Sequence, residues 1–203
     1  MKLLDGGQAP NPRRVRIFLA EKGIEVPLEP VDMGALGHKE EAVSKHNPLQ
    51  RLPVLVLDDG SALTESVAIC RYFEELHPEP PLMGVDPLDR ARVEMWQRRM
   101  EMNLLLFVAN TFRHAHPAMA TWEVPQIKEF SEVNRPRAQE TLRWLNEELA
   151  DREFIAGDRY TIADITAMIA VDFTKPARIE IPEGLDNLMD WYGRVKARPS
   201  SQA

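Results

Sequence analysis

Thr64-Glu65-Ser66 opens an amphipathic stretch, with small oxygen-bearing residues and an early acid where a helix begins. A helix N-terminus presents unpaired N–H donors and a partial positive charge, which suits a carboxylate. Glu65 can face an ammonium. Upstream, the turn ending in Leu52-Pro53-Val54 leaves backbone beside Pro53 able to pair with a peptide-like ligand. Together these residues form a pocket for a small zwitterion. They also fit a plain capped helix following a hairpin. A second set lies at Phe112-Arg113-His114-Ala115-His116-Pro117. Counting back from His114 at helical spacing places Asn110, Phe107, Asn103, Met100 and Trp96 on one face. Aromatics and amides mix there, whereas a core stripe would be apolar, so the face reads as the lining of a wet cleft. His114 can hold a water or act as a base. A cationic cap at a helix C-terminus fits it as well. His116 and Thr111 are secondary candidates for the same work. No metal is expected at the His-x-His pair, because the chain has one cysteine and no carboxylate pair nearby.

These residues must be held by definite elements. Lys2 to Leu4 is a short strand candidate. Asn11-Pro12 starts a helix whose Val15, Phe18 and Leu19 form an apolar stripe and which Gly23 ends. Ile24 to Val31 reads as a second strand, weakened by Pro27 and Pro30. Residues 32–46 hold a glycine-containing loop and a short polar helix. Residues 53–57 and 61–63 are paired across the Asp59-Gly60 turn, and 65–76 is a helix. Pro53 stands at a strand entrance, where a cis bond is admissible. Cys70 is spaced with Val67 and Phe73 and reads as core. Without a Cys-x-x-Cys pair, dithiol redox chemistry is disfavoured.

Beyond residue 78 the pattern turns wholly helical. Pro78, Pro80 and Pro81 mark a linker. The expected division is residues 1–78, a linker at 79–86, and an all-helical part at 87–203. One long helix is expected from Pro87 to about Arg113, and another from about Gln126 to Ala150, kinked or split at Pro136. Thr161-Ile162-Ala163-Asp164 is a capping box, with Tyr160 and Ile165 as its hydrophobic staple, opening a helix to about Thr174. A last helix covers roughly 185–197.

The chain has 203 residues, 44% of them hydrophobic, enough for one or two cores. Its 25 basic and 32 acidic residues give a net charge of −7, which argues against nucleic acid or an anionic membrane as partner. One cysteine allows no internal disulfide, which fits a reducing compartment, and the expected location is cytoplasmic. No run of roughly 18 apolar residues exists to span a membrane.

The ordered set Asn47-Pro48, Leu52-Pro53-Val54, Asp59-Gly60 and Glu65-Ser66 resembles the glutathione-binding half of the glutathione transferases. The β-α-β-α-β-β-α order resembles a thioredoxin-like domain, and Gly157-Asp158 with Thr161 to Asp164 resembles the capping motif of the family's helical domain. The resemblance implies an α/β thioredoxin-like domain followed by a helical bundle. It also implies glutathione as co-substrate, a small hydrophobic electrophile as partner, and a homodimer built on the helices holding Arg71 and Arg92. On this reading glutathione meets His38, Arg51, Leu52, Pro53, Val54, Glu65 and Ser66, and Lys39 could stand in at the carboxylate end. The electrophile enters between domains against Met100, Phe107, Asn110 and Thr111.

Such enzymes attack with the thiolate, yet a free thiol has a pKa of about 8.5; lowering it two units corresponds to about 2.7 kcal/mol. Aligning Arg13-Arg14-Val15-Arg16-Ile17-Phe18 with the theta-like pattern puts Ala9 where those enzymes carry serine. The chain then resembles an atypical bacterial and fungal subgroup. In that subgroup the first helix N-terminus, here Ala9 to Asn11, and a water held by the helical domain, here by His114, replace the hydroxyl. A non-catalytic binding module is the rival reading, motivated by Ala9. A glutathione-dependent isomerase or dehalogenase is another, although the Ser-Ser-Cys-Ser start typical of the isomerases is absent.

Overall fold

A computed structural model describes all residues, 1–203. The chain divides into two compact units, Met1–Leu82 together with Pro199–Ala203, and Met83–Arg198.

The first unit is a four-stranded sheet in the order β2-β1-β3-β4, with β1 at Lys2–Asp5, β2 at Leu28–Pro30, β3 at Val54–Val56 and β4 at Ala62–Leu63. β1 runs parallel to β2 and antiparallel to β3, with Leu4 opposite Val54, and β3 pairs antiparallel with β4. Helix α1 (Pro10–Glu21) makes the crossover from β1 to β2; α2 is Glu41–Ser44 and α3 is Ser66–Leu76. Strand side chains alternate between faces. Leu4, Val54 and Val56 therefore share one face, where Val43 and Leu52 join them. Leu3 and Leu55 point the other way. Helices α1 and α3 pack on each other, burying Val15, Phe18, Ile69, Cys70 and Phe73.

β2 is shorter than the Ile24–Val31 expectation. Pro27 and Pro30 have no N–H to donate, so pairing is limited to Leu28–Pro30, flanked by Leu3 N–H to Pro27 C=O and Val31 N–H to Asp5 C=O. All three β2 residues are exposed, as an edge strand tolerates.

The second unit is helical: α4 (Pro87–Met100), α5 (Leu106–Ala115), α6 (Lys128–Glu148), α7 (Ile162–Thr174) and α8 (Asp186–Lys196). Asp86 caps α4 through the N–H groups of Leu88 and Asp89. Gly84 precedes it at φ 98°, and a Cβ there would lie 2.6 Å from the Arg90 nitrogen, so only glycine fits. α7 is buried on nearly every side and is the centre of the bundle. Its capping box forms as expected, with Asp164 accepting from the Thr161 N–H at 2.9 Å, and Tyr160 and Ile165 both buried.

Two helices depart from expectation. The long helix from Pro87 is interrupted by a π-helical turn at Glu101–Leu105, after which α5 continues to Ala115. The Asn103 carbonyl there accepts from Thr141 Oγ of α6 at 2.7 Å. In α6, Pro136 neither splits the helix nor ends it. It lies on the exposed side, one turn after exposed Glu132, where the amide that proline lacks is not needed to satisfy a buried carbonyl. No helix is long and apolar enough to cross a membrane.

Candidate functional site

α1 begins without a side-chain cap. Ala9 occupies the N-cap position in extended conformation, and Pro10 and Pro12 flank Asn11. The first turn of a helix normally exposes several unpaired amides. Proline supplies none, and the Ala9 N–H turns to the Gly6 carbonyl at 3.4 Å. The Asn11 N–H is therefore the donor that this end offers. The sequence reading assigned backbone dipoles to Ala9, Pro10 and Asn11 together; the prolines concentrate that role on Asn11.

Two guanidinium groups organise this end. Arg16 donates to Asp5 and to the Gly7 carbonyl, while the Gly7 N–H donates to the other Asp5 oxygen at 3.0 Å. This clamps the loop before α1. Arg14 is 0% exposed and donates from Nη1 to Ser66 Oγ at 2.7 Å and to Asn11 Oδ1 at 3.3 Å. Asn11 and Ser66 lie in the first turns of α1 and α3, so one buried cation joins two helix starts. Arg14 was not singled out from the sequence. A signal was present: it stands four residues before Phe18 on the apolar stripe, where a charge is costly unless paired.

At the start of α3, Glu65 is the N-cap residue, exposed, with φ 65° and ψ 112°. A non-glycine residue there costs on the order of 1–3 kcal/mol and persists only where its surroundings impose it. Ser66 follows, buried. The Leu52–Pro53 bond is cis. Leu52 and Pro53 are buried and stand just before the β3 ladder, which begins at Val54 opposite Leu4. Asn47 braces this turn, donating to the Arg51 carbonyl at 2.8 Å and accepting from the Leu49 N–H at 3.1 Å.

His38 lies in a 3-10 turn (Gly37–Lys39) and is 3% exposed. Burial, then the nearby charges of Lys39 and Arg51, hold its pKa below the usual histidine value. His38 is therefore neutral at pH 7, while Arg51 and Lys39 are exposed cations. Cys70 is fully buried, and burial pushes its thiol up to about 12. It belongs to the core, as its spacing implied.

In the helical unit the face counted back from His114 is not continuous. The π turn inserts residues at a different angular step, so i, i+4 counting slips across it. Met100 and Trp96, before the turn, are buried, with Trp96 stacked on Trp144 at 5.5 Å between ring centres. Thr111 is also fully buried; its hydroxyl donates to the Phe107 carbonyl at 2.9 Å, and its own carbonyl accepts from Ser131 of α6 at 3.0 Å. Met100 and Thr111 thus face the bundle interior, which corrects their assignment to a cleft. Phe107 and Asn110 are half-buried, and the Arg137 guanidinium lies over the Phe107 ring.

His114 accepts the Ile127 N–H on Nδ1 at 3.1 Å, stands edge-on to Phe130, and has Nε2 3.8 Å from a Glu123 oxygen. His116 accepts the Ala118 N–H on Nδ1 at 3.2 Å and stacks on Phe112. Both rings therefore brace the connection between α5 and α6. For His114 this leaves Nε2 as the nitrogen with which a water or ligand can interact.

A sequence model described as the glutathione S-transferase N-terminal domain matches residues 9–76, and one described as the glutathione S-transferase C-terminal domain matches residues 99–199. The chain is 34% identical to Glutathione S-transferase 2 of Saccharomyces cerevisiae, over 98% of this chain and 87% of that one. The crystal structure of Gtt2 from Saccharomyces cerevisiae superposes with a TM-score of 0.94 at 33% identity, covering 100% of this chain and 99% of that one. A glutathione S-transferase domain-containing protein of Marinobacter aquaeolei VT8 gives a TM-score of 0.92 at 41% identity, covering 98% and 99%.

Proposed function

The chain belongs to the glutathione S-transferase family, and from that premise we propose that it binds glutathione on its first unit and transfers it, as the thiolate, to a small electrophile. The observation that carries this reading is Glu65, a strained non-glycine residue held at φ 65° on the surface, directly before buried Ser66 at the start of α3. In this reading the γ-glutamyl carboxylate takes the N–H groups and the Ser66 hydroxyl at that helix start, and Glu65 faces the γ-glutamyl ammonium. The cysteinyl backbone pairs with Leu52, whose amide and carbonyl precede the β3 ladder, beside Pro53 and Val54. Arg51 meets the glycyl carboxylate, with His38 as a neutral N–H donor near it.

The thiol is placed at the start of α1. Ala9 has no proton to give or take, so stabilisation of the anion falls to the Asn11 N–H and the dipole of α1. Proton loss from the thiol produces the nucleophile, and attack on an electrophilic carbon forms the thioether. Where the carbon carries a halide, the halide leaves with the bonding pair. Phe107 and Asn110 are the remaining candidates for the electrophile side. His114 Nδ1 is occupied by the Ile127 N–H, so Nε2 carries the proton and can hold a water only by donating to it; the thiol proton passes to solvent. A homodimer belongs to the same proposal.

The test is a spectroscopic titration of bound glutathione, following thiolate absorbance, alongside turnover of an activated aryl halide. The expected result is saturable binding, an apparent thiol pKa below the free value of about 8.5, and thioether formation. Binding without thiolate formation or turnover favours the rival reading, a binding module, for which the specific observation is Ala9 followed by two prolines that carry no donor. Absence of glutathione binding rejects both.

A further inference from the structure

We propose that Arg14 is a positioning residue for the ligand site, acting through Ser66: its guanidinium occupies the acceptor side of the Ser66 hydroxyl and so turns that proton outward, toward a ligand carboxylate. The inference rests on the reading above, that glutathione's γ-glutamyl carboxylate lies at the start of α3.

The geometry is specific. Ser66 Oγ is 2.7 Å from Arg14 Nη1 and Ser66 is 5% exposed. A serine hydroxyl has one proton and two lone pairs, and its proton rotates to suit its neighbours. Guanidinium is donor-only and keeps its charge at any physiological pH, so towards Arg14 the hydroxyl can only accept. The proton is thereby excluded from the direction of Arg14 and left for another acceptor. A lysine or water at this place would fix the hydroxyl less well, because neither presents a rigid planar fork. Full burial of Arg14 also keeps its positive charge from being screened by solvent, so that charge stands behind the α3 helix start and adds to its attraction for an anion. The second contact, to Asn11 Oδ1 at 3.3 Å, ties the same cation to the first turn of α1. Carboxylate recognition at α3 and thiol placement at α1 thus share one rigid group.

The experiment measures glutathione affinity by calorimetry, and KM and kcat for both substrates, on the full chain with Arg14→Met, Arg14→Lys, Ser66→Ala and Arg14→Met/Ser66→Ala. Arg14→Met is expected to weaken glutathione about tenfold, the effect of one charge-assisted hydrogen bond, with the KM of the electrophile unchanged. Arg14→Lys is expected to fall between it and the parent. Because Arg14 acts through Ser66, the double variant should be hardly weaker than Ser66→Ala alone. A glutathione analogue with the γ-glutamyl carboxylate amidated should bind parent and Arg14→Met alike. Equal glutathione affinity in the parent and the Arg14 variants overturns the proposal, as does full additivity in the double variant. If Arg14→Met does not fold, Arg14→Lys with unaltered affinity for both glutathione and the amidated analogue overturns it. A parent that binds no glutathione removes the underlying reading and this inference together. A parent that binds while the Arg14 variants are indifferent removes only the inference.

Discussion

Three buried polar side chains in the first unit illustrate how much a single residue's surroundings decide. Lys22 has a fully buried side chain, yet its ammonium reaches Glu74 at 2.7 Å and the carbonyls of His77 and Pro80 at 2.6 and 2.7 Å. Two carbonyl acceptors and one carboxylate counter-charge make that burial tolerable. Arg14 solves the same problem with the starts of two helices. Cys70, between them in character, has no charge to satisfy, and burial raises its pKa to about 12 because the thiolate would be stranded in the core. Native protein at pH 8 should therefore react with an aromatic disulfide reagent only as fast as it unfolds, and stoichiometrically once denaturant is added. Prompt release of one equivalent of chromophore from native protein would show that the thiol is reachable. The apolar character of Cys70 was legible from its spacing with Val67 and Phe73. The place of Arg14 on the apolar stripe was a signal, but the contact that satisfies it was not legible, because Ser66 lies on a helix that begins 52 residues later.

At the scale of elements, α7 shows a signal that is entirely local and a consequence that is not. The capping box is written in Thr161 and Asp164. In the folded chain Asp164 also accepts from the Ile155 N–H and from Trp191 Nε1, each at 2.9 Å, so one carboxylate pins α7, α8 and the preceding loop. Burial raises its pKa from the ordinary 3.8 to about 6, outweighing four hydrogen bonds that favour the anion. A raised carboxylate pKa means that the folded state binds the proton more tightly than the unfolded state does. The resulting stabilisation is present below about pH 4 and is lost as pH rises through about 6. Parallel thermal melts of the parent and Asp164→Asn should show the parent's advantage shrinking from pH 4 to pH 7, by on the order of 2–3 kcal/mol. A gap that widens over that range would show the hydrogen bonds winning over burial. The π turn at Glu101–Leu105 is the opposite case. Nothing in Glu-Met-Asn-Leu-Leu distinguishes it from ordinary helix; the turn is fixed from outside, where Thr141 of α6 takes the Asn103 carbonyl. That one insertion is why a face counted back from His114 ran into buried Met100 and Trp96.

Over the whole molecule, each unit closes its own core, and the chain's last residues belong to the first unit. Arg13 Nη2 donates to the Ser201 carbonyl at 2.9 Å, Ser200 Oγ donates to Glu21, and both serines are buried. Residues 199–203 thus complete the outer side of α1. Arg13→Met should lower the melting temperature of the first unit by several degrees, about what a loss of 1–2 kcal/mol gives at this size, and leave the helical unit's transition in place. Differential scanning calorimetry with hydrogen exchange on α1 checks this; unchanged protection of α1 would mean that the terminal segment merely rests there. The sequence held no sign of this return, since Pro199-Ser200-Ser201 carries no periodicity to mark it as packed.

By itself, the sequence determined the strand and helix order of the first unit, the helical second unit, the capping box of α7 and the four ordered motifs of the glutathione half. These depend on neighbours within a few positions: prolines remove donors, glycines permit turns, and apolar spacing selects the buried face. Tertiary structure alone decided which polar groups became internal, where the long helix takes a π turn, and that Thr111 and Met100 face the bundle. Those outcomes depend on hydrogen-bond partners tens of residues away, and local residue patterns carry no record of which distant partner will arrive.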